Sequence, residues 1–239
     1  MSDVEASPER DDAPAENKVW FLRQNRLFAK ASDGPVEGAE HIFKIALHPK
    51  KSLIFDQGDP SRLIFLVKRG RVRIVRLTAD AKEITVAILG PGDVFGEDSL
   101  FASAPRTTMA VCMDETLLCT AKADDLFALL TDNPKLALNV AEMLSNRLGE
   151  ASATIEDLAF ARISDRLMHL FRRLAHDHGR PAEGGTLLDI RLTQTDLASL
   201  IGSTRETVSL EISTLAKAGR IGYDGRYVTL PENEANAND

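Results

Sequence analysis

Two clusters in this chain of 239 residues carry side chains able to recognise a charged partner. The first is Gly96-Glu97-Asp98-Ser99, followed after a short loop by Pro105-Arg106-Thr107-Thr108. Asp98-Ser99-Leu100-Phe101 has room for one helical turn. Backbone amides after a glycine, a helical first turn, and an arginine with a hydroxyl nearby suit a phosphate group. Glu97 can accept hydrogen bonds from a ribose hydroxyl. The plainer alternative is a loop in which a Glu–Arg salt bridge closes the end of a barrel.

The second cluster lies between Thr193 and Ile221 and reads as two short helices joined by a tight turn. Thr193 is placed to cap the first helix, with Asp196 as its capping-box partner. Gly202 suits the left-handed residue that ends it. Ser203 is then expected to cap the second helix, with Glu206 three residues on. Val208, Ile212, Leu215 and Ala216 recur at helical spacing toward a core. This leaves Thr204, Arg205, Glu206, Ser209, Leu210 and Ser213 facing solvent. An arginine near such a helix start can bond guanine O6 and N7, a glutamate can accept from cytosine N4, and a leucine can touch a thymine methyl. The first residues of a recognition helix are those that meet base edges. The alternative is an ordinary pair of capped surface helices.

The elements that position these clusters follow from patterning. From Ser52 to Ala121, β-prone runs alternate with turn signals: Ser52–Phe55, Leu63–Val67, Val72–Leu77, Ile84–Leu89, Thr107–Met113 and Thr116–Thr120. Many short strands at near-regular spacing indicate an antiparallel barrel or jelly roll. Before them, Val19 to Phe28 suggests a helical lead-in, and His41, Ile42, Ile45 and Ala46 fit a second short helix. Asn133-Pro134 opens a long helix, with proline at its first position. Leu136, Val140, Leu144, Leu148, Ala151, Ile155 and Leu158 form its apolar stripe, which suits a two-stranded coiled coil. The competing role for that stripe is packing on the chain's own barrel. A further helix spans Arg162 to His176. Residues 178–185 read as a linker, and Leu187–Leu192 as a strand. Asp224-Gly225 between β-prone runs signals a hairpin beside the helix pair, which makes it a wing.

Composition bounds the reading. Apolar residues make up 44% of the chain, enough for real cores. No apolar run approaches the roughly 20 residues of a membrane span, so no membrane partner is expected. The N-terminus is acidic and polar, unlike a signal peptide. The only cysteines, Cys112 and Cys119, provide no disulfide framework, and a reducing cytoplasm fits. The net charge of −7 lies in the tails: residues 1–18 hold six acids against two bases, and residues 231–239 hold three acids. Residues 160–230 carry ten bases against eight acids, a weakly basic balance that permits DNA binding. The chain contains no P-loop, nucleophile elbow or metal-ligand cluster, so neither an enzyme nor a metal site is expected.

The order of these features resembles the CRP/FNR family of bacterial transcription regulators. The features are a β-roll, a Gly-Glu…Arg-Thr cassette, a long helix ending Asp157-Leu-Ala-Phe160, and a helix-turn-helix carrying Gly202-Ser-Thr-Arg-Glu-Thr-Val208. The resemblance covers roughly Val19 to Leu230. It implies an α+β chain: an N-terminal antiparallel β-roll of the cyclic-nucleotide-binding type, a long central dimerisation helix and a C-terminal winged helix-turn-helix. The divisions are an acidic disordered tail at 1–18, the β-roll at 19–133, the dimerisation helix at 134–160, the DNA-binding domain at 161–230, and a second acidic disordered tail at 231–239. It further implies a homodimer on near-palindromic double-stranded DNA, working with RNA polymerase, with a cyclic nucleotide as effector.

Matched position by position, Gly96 and Glu97 fall at the ribose end of the cassette, with Asp98 and Ser99 beside them. Arg106 and Thr107 fall at its phosphate end. Arg147 matches a long-helix arginine near the ribose, and Ser152 a hydroxyl that reaches the base from the partner subunit. Arg205 and Glu206 match the base-reading pair, and Thr193, Ser203, Thr204, Ser209, Leu210 and the wing residue Arg226 complete the expected DNA-contacting set. Three departures stand out. Ala151 replaces the threonine that cyclic-AMP receptors set against adenine, the loop before Arg106 is one residue shorter, and Leu210 replaces a second base-reading arginine.

Cyclic AMP is therefore one candidate effector among several. Cyclic di-GMP, haem, or no ligand at all are alternatives, and so is a nucleotide-binding module that regulates a partner protein. An iron–sulfur sensor needs four cysteine ligands, more than the chain has. Of the five histidines (His41, His48, His169, His176 and His178), none sits in a recognisable haem motif.

Overall fold

The computed structural model describes residues 22, 27–28, 39–80, 83–100, 104–225 and 227–235. The acidic N-terminal tail, most of the helical lead-in and Arg226 lie outside them. The chain forms two compact units, residues 1–81 with 86–148, and residues 82–85 with 149–239.

The first unit is built from eight strands: β1 (Lys44–His48), β2 (Leu53–Phe55), β3 (Leu63–Arg69), β4 (Val72–Leu77), β5 (Glu83–Leu89), β6 (Val94–Phe95), β7 (Met109–Cys112) and β8 (Thr116–Lys122). They form two four-stranded sheets, ordered β1-β8-β3-β6 and β2-β7-β4-β5. Strand β3 explains the architecture. Its side chains alternate between faces, as in any strand, but both faces are buried. Phe65 and Val67 enter a core between the sheets with Phe55, Val72, Ile74, Leu89, Phe95, Ala110 and Leu118. Ile64 and Leu66 point the other way, into a second core closed by α1 (Ala123–Asp132) and the start of α2 (Pro134–Phe160). A strand buried on both faces reads as a continuous apolar run rather than an alternating one. Leu22, Leu27 and Phe28 are buried in the second core.

Three expectations for this unit change. The spacing of His41, Ile42, Ile45 and Ala46 suggests a helix, yet only Glu40–Ile42 makes a 3-10 turn and Lys44–His48 is a strand. Pairing with β8 in register from Lys44↔Thr120 to His48↔Thr116 satisfies its backbone while Phe43 and Ile45 enter the core. Val94–Phe95 is a short strand outside the six β-prone runs expected from the sequence. The apolar stripe of α2 does not act as one surface. Leu136 and Val140 are buried against the roll and Leu144 packs on its edge, while Leu148, Ile155 and Leu158 are exposed.

The second unit contains the rest of α2, then α3 (Ile163–His178), α4 (Gln194–Ile201), α5 (Arg205–Lys217) and α6 (Glu232–Ala235). A sheet ordered β11-β12-β10-β9 accompanies them, with β9 (Gly179–Ala182), β10 (Gly185–Leu188), β11 (Gly222–Tyr223) and β12 (Val228–Leu230). The expected linker is thus strand β9. It lies at a sheet edge, where Pro181 has no ladder hydrogen bond to donate and is tolerated. β10 stops at Leu188, short of the expected Leu192.

The C-terminal tail also departs from its acidic composition. Residues 232–235 form a helical turn, and the Glu234 carboxylate accepts hydrogen bonds from Arg172 Nη2 at 3.0 Å and Arg220 Nε at 2.6 Å. Two guanidiniums order a segment that its composition alone leaves solvated.

Candidate functional site

The cassette is organised around Arg106, which is 3% exposed. Its guanidinium lies 4.3 Å from the centroid of the Phe55 ring, above a cluster in which Phe65 and Phe95 stack at 4.9 Å. Nη1 donates to the Gly96 carbonyl at 3.1 Å and to the Asp98 carboxylate, and Nη2 donates to the Leu63 carbonyl. Nε is buried with no hydrogen-bond partner among the described residues. Main-chain bonds fix the arginine from the other side: its N–H donates to Asp59 O and its carbonyl accepts from Gly58 N, both at 2.8 Å.

Gly96 has to be glycine. Its φ is +79°, and a Cβ would sit 2.8 Å from Leu63 O and 3.0 Å from Arg106 Nη1. It turns the chain from β6 into a 3-10 turn spanning Glu97–Leu100. Ser99 Oγ closes that turn on Gly96 O at 2.7 Å. Glu97 faces away from Arg106 and pairs with Arg147 of α2, whose second nitrogen donates to Val94 O. Consecutive acids in one turn thus hold separate arginines.

The structure therefore brings Gly96, Glu97, Asp98, Ser99, Arg106 and Arg147 together. Thr107 is exposed next to them, and Ser152 is exposed on the part of α2 that belongs to the other unit. The Glu–Arg pair foreseen as the plainer alternative exists, but with Arg147. The role of Asp98 as the Arg106 counter-ion had no signal in the spacing, and neither did Phe55 beneath the guanidinium.

In the second unit, Thr193 and Asp196 form the expected reciprocal capping box on α4. Gly202 takes the left-handed conformation, φ +63° and ψ +46°. The next cap differs from expectation. Thr204, not Ser203, caps α5, accepting from Thr207 N at 3.2 Å, while Ser203 N donates to Ala198 O. The Gly202 turn uses Ser203 to close the preceding helix, so the following helix starts one residue later. Glu206 is released from capping. Thr204, Arg205, Glu206 and Leu210 are all exposed, Leu210 at 66%, while Ser203 and Ser209 are half-buried. Val208, Ile212 and Leu215 are buried beneath them. An amphipathic helix offering an arginine, a glutamate and a leucine on one open face can read base edges.

Sequence reasoning missed one pair at the wing. Arg191 Nε donates to Tyr227 Oη at 2.9 Å with the guanidinium 5.5 Å from the ring centroid. This hydrogen bond to Tyr227 raises the Arg191 pKa above its ordinary value. Thirty-six residues separate the two in sequence, so only the fold reveals them. Among the described residues no group of three or more His, Cys, Asp or Glu side chains can hold a metal ion, and no helix is long and apolar enough to cross a membrane.

The chain matches the cyclic nucleotide-binding domain over residues 47–133 and the Crp-like helix-turn-helix domain over residues 161–235. It is 34% identical to the cyclic AMP receptor protein of Thermus thermophilus, over 83% of this chain and 88% of that protein. It is 30% identical to the CRP-like cAMP-activated global transcriptional regulator of Mycobacterium tuberculosis, over 78% of this chain and 83% of that one. The structure of the c-di-GMP-responsive global regulator CLP of Xanthomonas campestris superposes with a TM-score of 0.70 at 25% identity, covering 84% of this chain and 99% of that chain. These relatives are regulators of transcription rather than enzymes. With its β-roll, long helix and Crp-like helix-turn-helix, this chain belongs to the CRP/FNR family of transcription regulators.

Proposed function

We propose that this chain acts in the cytoplasm as a homodimeric, sequence-specific DNA-binding regulator that works with RNA polymerase and is controlled by a cyclic nucleotide in the β-roll. The observation that carries the effector reading is Arg106, a buried guanidinium beside a glycine turn whose Nε has no hydrogen-bond partner among the described residues. A cyclic phosphate offers two free oxygens to such a group, and Glu97 offers an acceptor to a ribose hydroxyl. Cyclic AMP is the first candidate, supported by the relatives from Thermus and Mycobacterium; cyclic di-GMP is the second, supported by the Xanthomonas neighbour.

Dimerisation is inferred from α2. Leu148 is 70% and Ile155 67% exposed, with Ala151 between them at helical spacing. A second copy would bury this seam and bring Ser152 to the partner's pocket. Two recognition helices would then meet two half-sites, with Arg205 on guanine and Arg191 on a backbone phosphate.

A second reading is favoured by Asp98. An acid already seated on Arg106 fits a regulator that needs no ligand. The experiment that separates the two is a gel shift on a family-like palindrome, with and without cyclic AMP, cyclic GMP and cyclic di-GMP, for wild type and Arg106→Ala. Ligand-dependent binding lost in the mutant supports the first reading. Equal binding throughout supports the second.

A further inference from the structure

We propose that Asp98 is a built-in stand-in for the effector's phosphate, so that this residue sets which ligands the cassette accepts and how tightly. The proposal rests on the cyclic-nucleotide reading above and adds a specificity determinant to it.

The argument starts from an asymmetry within the pair. The Arg106 side chain is 2% exposed and the Asp98 side chain 45%. A guanidinium cannot be buried at that depth without a partner carrying the opposite charge. The carbonyls of Gly96 and Leu63 supply dipoles only; Asp98 supplies the charge. Arg106 is also pinned from behind by Phe55 and from both main-chain sides by Gly58 and Asp59. Of the two partners, Asp98 is the one that can leave. Its other side-chain hydrogen bond among the described residues is a long one from Ser61 Oγ at 3.3 Å, and nearly half its side chain already meets water.

A phosphate entering the cassette therefore exchanges with a carboxylate instead of filling an empty site. It has one advantage over Asp98, which bonds Nη1 through a single oxygen. A phosphodiester brings two free oxygens to the guanidinium. Neutral ligands gain nothing here, because they cannot replace the charge that Asp98 withdraws. The neighbouring acid does not take part, since Glu97 is engaged by Arg147.

The test is calorimetry on the full chain and on Asp98→Asn, Asp98→Ser and Arg106→Ala, with cyclic AMP, cyclic GMP, cyclic di-GMP and inorganic phosphate as probes. Melting curves of each unliganded protein accompany it. Neutralising the stand-in should tighten binding of at least one nucleotide tenfold or more in both Asp98 variants. It should also lower the melting temperature of the unliganded protein, with the loss recovered on adding that nucleotide. Recovery with inorganic phosphate alone, at similar affinity, would mark the site as a simple anion site and overturn the nucleotide reading while keeping the exchange. If nucleotides bind the Asp98 variants no more tightly than wild type while Arg106→Ala loses binding, the exchange is wrong and the cyclic-nucleotide reading survives. If no probe binds wild type or either Asp98 variant, both fail together.

Discussion

Arg147 of α2 holds Glu97 through Nη1 and the Val94 carbonyl through Nη2, so one guanidinium ties the strand before the cassette and the turn after it to the long helix. Both side chains are partly shielded, 28% and 23% exposed, which places the pair between a surface salt bridge and a buried one.

The first prediction concerns that tether. Arg147→Ala and Glu97→Gln should each lower stability by about 1–2 kcal/mol, toward the lower part of the range for charge-assisted bonds because both groups retain some water. Their effects should not add; residues in direct contact couple by roughly 0.5 kcal/mol or more. Melting curves of the two single variants and the double variant provide the cycle. Simple additivity would show that the two side chains act independently.

The dimer is tested at Leu148. In Leu148→Glu, two like charges would meet in an apolar seam. Sedimentation should show monomers, and affinity for a palindromic site should collapse. The fold of each subunit should survive, because Leu148 is exposed within its own chain. A mutant that remains dimeric would move the interface off this face.

DNA contacts divide into two kinds with different signatures. Arg205→Ala should cost about 1–3 kcal/mol and relax choice at one guanine per half-site. Arg191→Ala should weaken all sequences alike and reduce the salt slope by about one. Leu210→Arg should change which base is preferred at a single position, because an arginine makes bidentate bonds to guanine that a leucine cannot. Randomised-site selection on all three reads these outcomes. Identical half-sites for wild type and Leu210→Arg would remove Leu210 from the readout.

Acid should release the C-terminal turn. The bond from Arg220, with further help from Arg172, holds the Glu234 carboxyl below its ordinary value. A pKa lowered in the folded state adds stability above the unfolded carboxyl's range, near 4.3, and loses it as pH falls through the folded value. Glu234→Gln should therefore melt several degrees below wild type at pH 7. The gap should narrow once the pH drops below about 4. A gap independent of pH would mean that the carboxylate charge contributes nothing.

Local signals in the sequence were enough for the parts whose physics is local. Thr193 with Asp196 and Gly202 fix one helix and its end within a dozen residues, since caps and left-handed turns depend on near neighbours. The runs around Val72–Leu77 and Leu63–Arg69 announce strands because side-chain chemistry and backbone preference agree there. The order of elements marked the family.

Tertiary structure decided whatever depended on a distant partner. Lys44–His48 became a strand because β8 offered it a ladder, and residues 232–235 became ordered because Arg172 and Arg220 converged on Glu234. The α2 stripe was divided by what lay beside it: the roll takes Leu136 and Val140 and leaves Leu148 and Ile155 in water. Above all, spacing could not say which acid meets which arginine. Glu97 and Asp98 are adjacent in sequence, yet the turn points one toward α2 and the other toward Arg106, and a charge buried by the fold binds the acid that the fold brings within reach.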